Sequence, residues 1–119
     1  MKLGVVLAAA VAALMTLPTQ TAAAPDGRDR KVLVENISSQ TLRELYASPV
    51  SSKNWEEDLL GQRTVAAGSN LEANIDNGTN ECIYDLKAVM ANGREHIKRG
   101  VDVCKVSKWV VGDSGSSIQ

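Results

Sequence analysis

The sequence contains no phenylalanine, and its whole aromatic complement is Tyr46, Trp55, Tyr84 and Trp109. A core made from this chain has to come mainly from Val, Leu, Ile and Ala. Histidine occurs once, at His96, and cysteine twice, at Cys82 and Cys104. A single imidazole cannot build a zinc site, which takes three or four protein ligands. The two cysteines are too far apart for Cys-x-x-Cys redox chemistry. Neither sign of charge is in excess, with thirteen basic against fourteen acidic residues. Loss of Lys2 with an N-terminal signal leaves twelve against fourteen, and neither balance offers the basic stripe that marks a nucleic-acid surface or a case for an anionic membrane. EF-hand spacing and glycine-rich calcium repeats are missing as well.

Only one long apolar run exists, and it is at the N-terminus. Lys2 is a short positive region, Leu3 to Leu17 is apolar apart from Gly4 and Thr16, Pro18 breaks the run, and small residues follow through Ala24. This is the three-part layout of a secretory signal peptide. The run of about fifteen residues falls short of the roughly twenty needed to span a bilayer. Cleavage after Ala23 puts Thr21 and Ala23 at the two small-residue positions. Cleavage after Ala24 would leave Pro25 next, which disfavours it. The chain divides accordingly into a signal peptide (1–23), a flexible leader (24–30) without apolar periodicity, a β domain (31–111), and a Gly/Ser-rich disordered tail (112–119). No cysteine near the cleavage region suggests a lipid anchor, so the mature chain is expected in the periplasm or outside the cell, with no membrane attachment.

From Lys31 the pattern is one of short β-rich runs broken by turn residues. Val32–Ile37 and Thr41–Ala47 are read as a hairpin joined through polar residues. Residues 51–61 form either a helix of at most two turns capped by Ser52, or a loop carrying Trp55, Leu59 and Leu60 into the core. Residues 63–67 make a short strand. Leu71, Ala73 and Ile75 alternate with polar residues, the mark of a half-buried antiparallel strand. Cys82, Tyr84, Leu86, Ala88 and Met90 alternate again. Asn92-Gly93 is a strong hairpin signal, the chain returns over residues 94–104, and residues 107–111 form a last strand. The expected architecture is all-β: a small antiparallel sandwich of about seven strands, with a short helical turn or loop near Trp55 and a signal-peptide helix at the N-terminus. Its core is expected from Leu42, Leu45, Leu59, Leu60, Val65, Leu71, Ile75, Tyr84, Leu86, Ile97 and Val101, with Trp109 on the last strand.

In an oxidising compartment Cys82 and Cys104 are expected to pair. A two-residue turn at Asn92-Gly93 sets Ala88 opposite Ile97 and Tyr84 opposite Val101. It also sets Cys82 opposite Val103, one residue short of Cys104. A single-residue bulge repairs the offset, and Gly100 is a natural place for it.

Three features invite a catalytic or metal-binding reading. Gly112-Asp113-Ser114-Gly115 looks like the surroundings of a protease serine, preceded by His96 and Asp102, but such a triad needs buried partners gathered from two barrels. His96 is read as a solvent-facing strand residue. Glu56, Glu57 and Asp58 form an acidic cluster beside Trp55, to which Asp76 and Asn77 could add oxygens for calcium, an ion that takes six to eight. Arg94, Lys98 and Arg99, with Lys105 and Lys108 beyond, read as the outer face or guarded edge of a sheet. Asn36-Ile37-Ser38 and Asn77-Gly78-Thr79 match the glycosylation pattern and carry no weight in a bacterial-type export context.

The stretch Val34 to Cys104 resembles a family of small exported bacterial domains of uncharacterised function. The residues that carry the likeness are Leu45-Tyr46-Ala47-Ser48-Pro49, Trp55, Asp58-Leu59-Leu60-Gly61, Gly68, Cys82-Ile83-Tyr84-Asp85-Leu86, Gly93 and Val101-Asp102-Val103-Cys104. The resemblance implies a compact β domain behind a signal peptide and no known reaction. Where family members have an acidic turn near Gly93, this chain has Asn92 and Arg94, so no metal site carries over there.

The expectation is therefore an exported, non-enzymatic binding or cell-envelope accessory module. It has a protein partner in the periplasm or envelope, and neither a cofactor nor a resident metal. The candidate binding loop is Trp55, Glu56, Glu57 and Asp58, within the longest irregular segment, because long loops in compact domains tend to carry function. Trp55 is either an interface anchor or a core residue, the commoner fate of tryptophan. The alternative is a small metal-dependent protein, calcium-binding or hydrolytic, using the acids Glu56 to Asp58.

Overall fold

A computed structural model describes residues 23–119; the N-terminal residues 1–22, and with them almost all of the expected signal peptide, lie outside the described part. The alternation read in the sequence becomes seven strands: β1 (Lys31–Asn36), β2 (Leu42–Pro49), β3 (Asn70–Asn74), β4 (Ile83–Met90), β5 (Glu95–Asp102), β6 (Lys108–Val111) and β7 (Ser116–Ile118). They form a four-stranded sheet in the order β3-β1-β6-β7 and a three-stranded sheet in the order β2-β4-β5. No helix occurs among the described residues, and residues 51–61 are turns and loop. Inward residues of both sheets enclose a single core, with Val32 and Val34 on β1, Ala73 on β3, Tyr84, Leu86, Ala88 and Met90 on β4, and Trp109 and Val111 on β6. Leu42 and Leu45 are both buried although three residues apart, because a bulge between Leu42 and Glu44 shifts the phase of the strand. Leu60, Val65 and Ile75 are buried as expected, and Leu59 and Leu71 pack on the core from its margin.

The expected β1–β2 hairpin does not form. β1 pairs with β3 on one side and, in parallel, with β6 on the other, while β2 pairs with β4. The connection crosses between sheets around Asn36, which is fully buried. Its amide donates to the carbonyls of Gln40 (2.7 Å) and Val65 (3.0 Å), and its side-chain oxygen accepts from Ser38 N–H and O–H. A buried amide satisfied on both ends fixes a corner rather than a tight turn. Residues 63–67 likewise reduce to a single bridge, Val65 to Leu42.

The tail is a strand rather than a disordered end. β7 lies antiparallel to β6, with Trp109 opposite Ile118 and Val111 opposite Ser116. Asp113 fastens the connecting turn by accepting Ser39 N–H and O–H, both at 2.9 Å. The flexible leader is corrected too. Arg30 is buried with its guanidinium bidentate on Asp26 (2.9 and 2.7 Å) and its Nε–H on the Glu81 carbonyl (2.7 Å). Backbone and polar side-chain contacts order both segments, and neither kind leaves an apolar periodicity to read.

The β4–β5 hairpin teaches most. Its loop has three residues, not two: Met90 and Arg94 are the closing pair, and Gly93 has φ 87°. That geometry is the three-residue hairpin with a left-handed glycine. The extra residue moves His96, not Ile97, opposite Ala88. A one-residue change of register turns every side chain to the other face, so His96 is buried at 6 % exposure and Ile97 stands outside at 41 %. The bulge does occur at Gly100 (φ 65°), opposite Asp85, and restores the expected pairing of Tyr84 with Val101.

Candidate functional site

Cys82 and Cys104 are joined in a disulfide, with Cα atoms 5.4 Å apart. The Gly100 bulge compensates the longer turn, so Cys82 still faces Val103, whose N–H it accepts at 2.8 Å. Cys104 reaches Cys82 because the chain turns at once: Asp102 accepts the N–H groups of Cys104, Lys105 and Val106. Asp102 lies close to both sulfurs. Sulfurs bonded to each other are not thiolate ligands, so this trio is a cross-link rather than a metal centre. The disulfide fits an oxidising compartment.

The four residues of the candidate loop diverge. Asp58 turns to the edge of β2, where its carboxylate accepts the N–H of Leu45 (2.9 Å) and of Leu60 (3.0 Å), while Leu59 N–H donates to the Leu45 carbonyl (2.7 Å). This covers an edge strand that would otherwise present open backbone groups. Glu56 and Glu57 border a groove of about 420 Å³ with Asp76 and Asn77. Asp76 is already engaged by the backbone N–H groups of Ala24 and Gly78. The acids are therefore near one another but do not converge on a common point.

Trp55 goes the other way, onto the outer face of the three-stranded sheet, and is not part of the core. Ser48 Oγ–H donates to the Asn54 carbonyl (2.7 Å) and folds the loop back over the strands. The Trp55 ring lies 6.4 Å from that of Tyr46 at 51°. Lys87, the cross-strand partner of Tyr46, places Nζ 4.9 Å from the Tyr46 ring centre and 5.0 Å from that of Trp55. Arg99 approaches the Trp55 ring at 5.8 Å and is held by Asp85 at 3.1 Å. Cations over aromatic faces are attracted by the ring quadrupole, Trp most strongly. The Tyr46 hydroxyl donates to the Glu44 carboxylate, which, with burial, pushes its pKa up to about 12 and keeps it neutral. Ile97 completes the face, opposite Lys87. A cleft of about 120 Å³ opens beside Trp55, bordered by Ser48, Ser52, Asp85 and Arg99.

Sequence reasoning singles out Trp55 and places Arg99 on an outer sheet face, but it gives Tyr46 and Lys87 no role in the site and assigns Ile97 to the core, whereas Ile97 is exposed. Alternation places Tyr46 and Lys87 on outer faces, yet only the β2–β4 register brings them together. Of the expected basic group, Arg94 binds the Asp113 carbonyl, Arg99 binds Asp85 and Lys108 binds Glu35 at 3.1 Å, so it is dispersed over the molecule. His96 and Asp113 border a cavity of about 30 Å³ that Ser114 does not line. Burial first, then the charges of Arg94 and Lys98, lowers the His96 pKa. Ser39 holds Asp113, and the protease-like sequence is a β-turn strap.

No protein family, curated protein or solved structure matches the chain.

Proposed function

We propose that this chain is an exported, non-enzymatic binding module of the periplasm, cell envelope or extracellular space, and that it captures a protein partner on the outer face of β2-β4-β5. One observation carries the reading: Trp55 is held out of the core against Tyr46, with Lys87 and Arg99 on the aromatic faces. Keeping tryptophan in a loop outside the core, flanked by cations, is the composition of an interface anchor. Lys87 makes no ion pair among the described residues. Together with exposed Ile97 it suits a partner segment that offers a carboxylate next to an apolar side chain. The disulfide and the signal-like N-terminus support the exported location.

The test places a photo-crosslinking residue at position 97 and exposes the folded protein to the envelope fraction of its source. Trp55→Ala and Lys87→Glu should each abolish the adduct while the melting temperature stays within a few degrees of wild type. Adduct formation unchanged by both substitutions, or a melting temperature that collapses with Trp55→Ala, would overturn the proposal.

A further inference from the structure

The nitrogen of Ala24 sits 3.1 and 3.0 Å from the two carboxylate oxygens of Asp76. As a peptide nitrogen it has a single hydrogen to share between two acceptors. An ammonium group at the same place has three, one for each oxygen with one to spare, and makes the shorter, charge-assisted kind of bond. Asp76 is otherwise held only by the neutral Gly78 N–H and makes no ion pair among the described residues. Ala24 is 5 % exposed, whereas Ala23 is exposed, so among the described residues burial begins at Ala24. The segment after Ala24 is fastened on both sides: Gly27 N–H donates to the Ala24 carbonyl (3.2 Å), Asp26 N–H to Asn80 (3.1 Å), and Arg30 joins Asp26 to Glu81.

We propose that processing between Ala23 and Ala24 turns the Ala24 nitrogen into an α-ammonium group that docks on Asp76, so that the mature N-terminus is itself a structural ion pair that the precursor lacks. The inference rests on the export reading above and adds a role for the cut it requires. Hydrolysis by a signal peptidase breaks the Ala23–Ala24 amide: the carbonyl of Ala23 takes the hydroxyl of water and leaves as a carboxylate, and the Ala24 nitrogen takes hydrogen and is protonated at neutral pH. The site is thus a processing site whose product end closes the loop between β3 and β4. Thr21 and Ala23 supply the small residues that the peptidase needs, and Asp76 supplies the receptor for the product.

Intact-mass measurement of the full chain exported to a bacterial periplasm gives the first arm, with Ala24 expected as first residue. Any other first residue, or an uncut chain, overturns the proposal at the level of export and cleavage. The second arm labels the processed protein with an amine-acylating reagent at neutral pH. The α-amine should react about tenfold more slowly than in Asp76→Asn, the factor that one unit of raised pKa removes from the reactive free amine. Equal rates in wild type and Asp76→Asn would leave export standing and overturn the docking. A third variant inserts Gly-Ser between Ala23 and Ala24 and keeps Asp76. It should restore fast labelling and lower the melting temperature, so the idea stays testable if Asp76→Asn does not fold; an unchanged melting temperature and slow labelling in this variant would also overturn it.

Discussion

The two tryptophans occupy opposite sides of the same architecture. Trp109, on β6, is 0 % exposed, packed in the core, and its indole N–H has no hydrogen-bond partner among the described residues. Trp55, on a loop, lies outside the core on Tyr46 with cations around it. One residue type thus serves interior packing in one place and surface chemistry in the other. The difference comes from what holds each ring. Trp109 is set by the alternation of a central strand, which leaves it no choice of face. Trp55 is set by Ser48 and Asp58, polar residues that tie the loop to the strand beneath it.

The contrast can be broken most sharply at Trp109. Trp109→Ala should cost about 3–5 kcal/mol, the range for emptying a large aromatic from a core, and the variant should be mostly unfolded by calorimetry at ordinary temperature. Trp109→Phe should lose clearly less, since it also removes a buried unpaired donor. Replacing both cysteines by serine should cost about 3 kcal/mol on the loop-entropy model, read as a fall in the denaturant midpoint. Asp58→Ala leaves the Leu45 and Leu60 N–H groups without their acceptor and should cost about 1–3 kcal/mol. It should also release Trp55 from Tyr46, seen as a change in tryptophan emission that Trp55→Ala abolishes. Trp55→Ala itself should stay within about 1 kcal/mol of wild type, as surface substitutions do when they break no buried contact.

The smallest effect is a pH slope. His96 has a folded pKa held below its usual value by burial and by Arg94 and Lys98. The unfolded chain therefore binds its proton at higher pH, so stability is full above an unfolded value of about 6.5 and declines as pH falls through it. His96→Gln should flatten the melting temperature between pH 8 and pH 5. Asp26, held at about 2 by the Arg30 guanidinium and by Arg28 N–H, adds a second decline in stronger acid, beginning as pH falls below the usual 3.8.

Strands with clean alternation are readable from sequence: of the alternating set Cys82, Tyr84, Leu86, Ala88 and Met90, all but the half-buried Cys82 are buried. The β4–β5 hairpin was readable in existence but not in register, because Asn92-Gly93 fits either a two- or a three-residue loop, and that single residue decides whether His96 or Ile97 enters the core. The order of the tail and the leader is not legible in the sequence, because strand pairing by Ser116–Ile118 and the Asp26–Arg30 clasp use backbone and polar groups that composition reads as loop. In the candidate site only Trp55 stood out, since its companions come from three separate segments.

What the sequence alone determined is local: which residues alternate, where the chain can turn, and that the two cysteines share a compartment and a hairpin. Those properties depend on neighbours a few residues apart. The crossing of β1 and β2 into different sheets, the parallel pairing of β1 with β6, and the meeting of Tyr46, Trp55, Lys87 and Arg99 were decided only by the tertiary structure. Each depends on a register between segments far apart in the chain, and register is set by how two faces bury together, a quantity that no single segment contains.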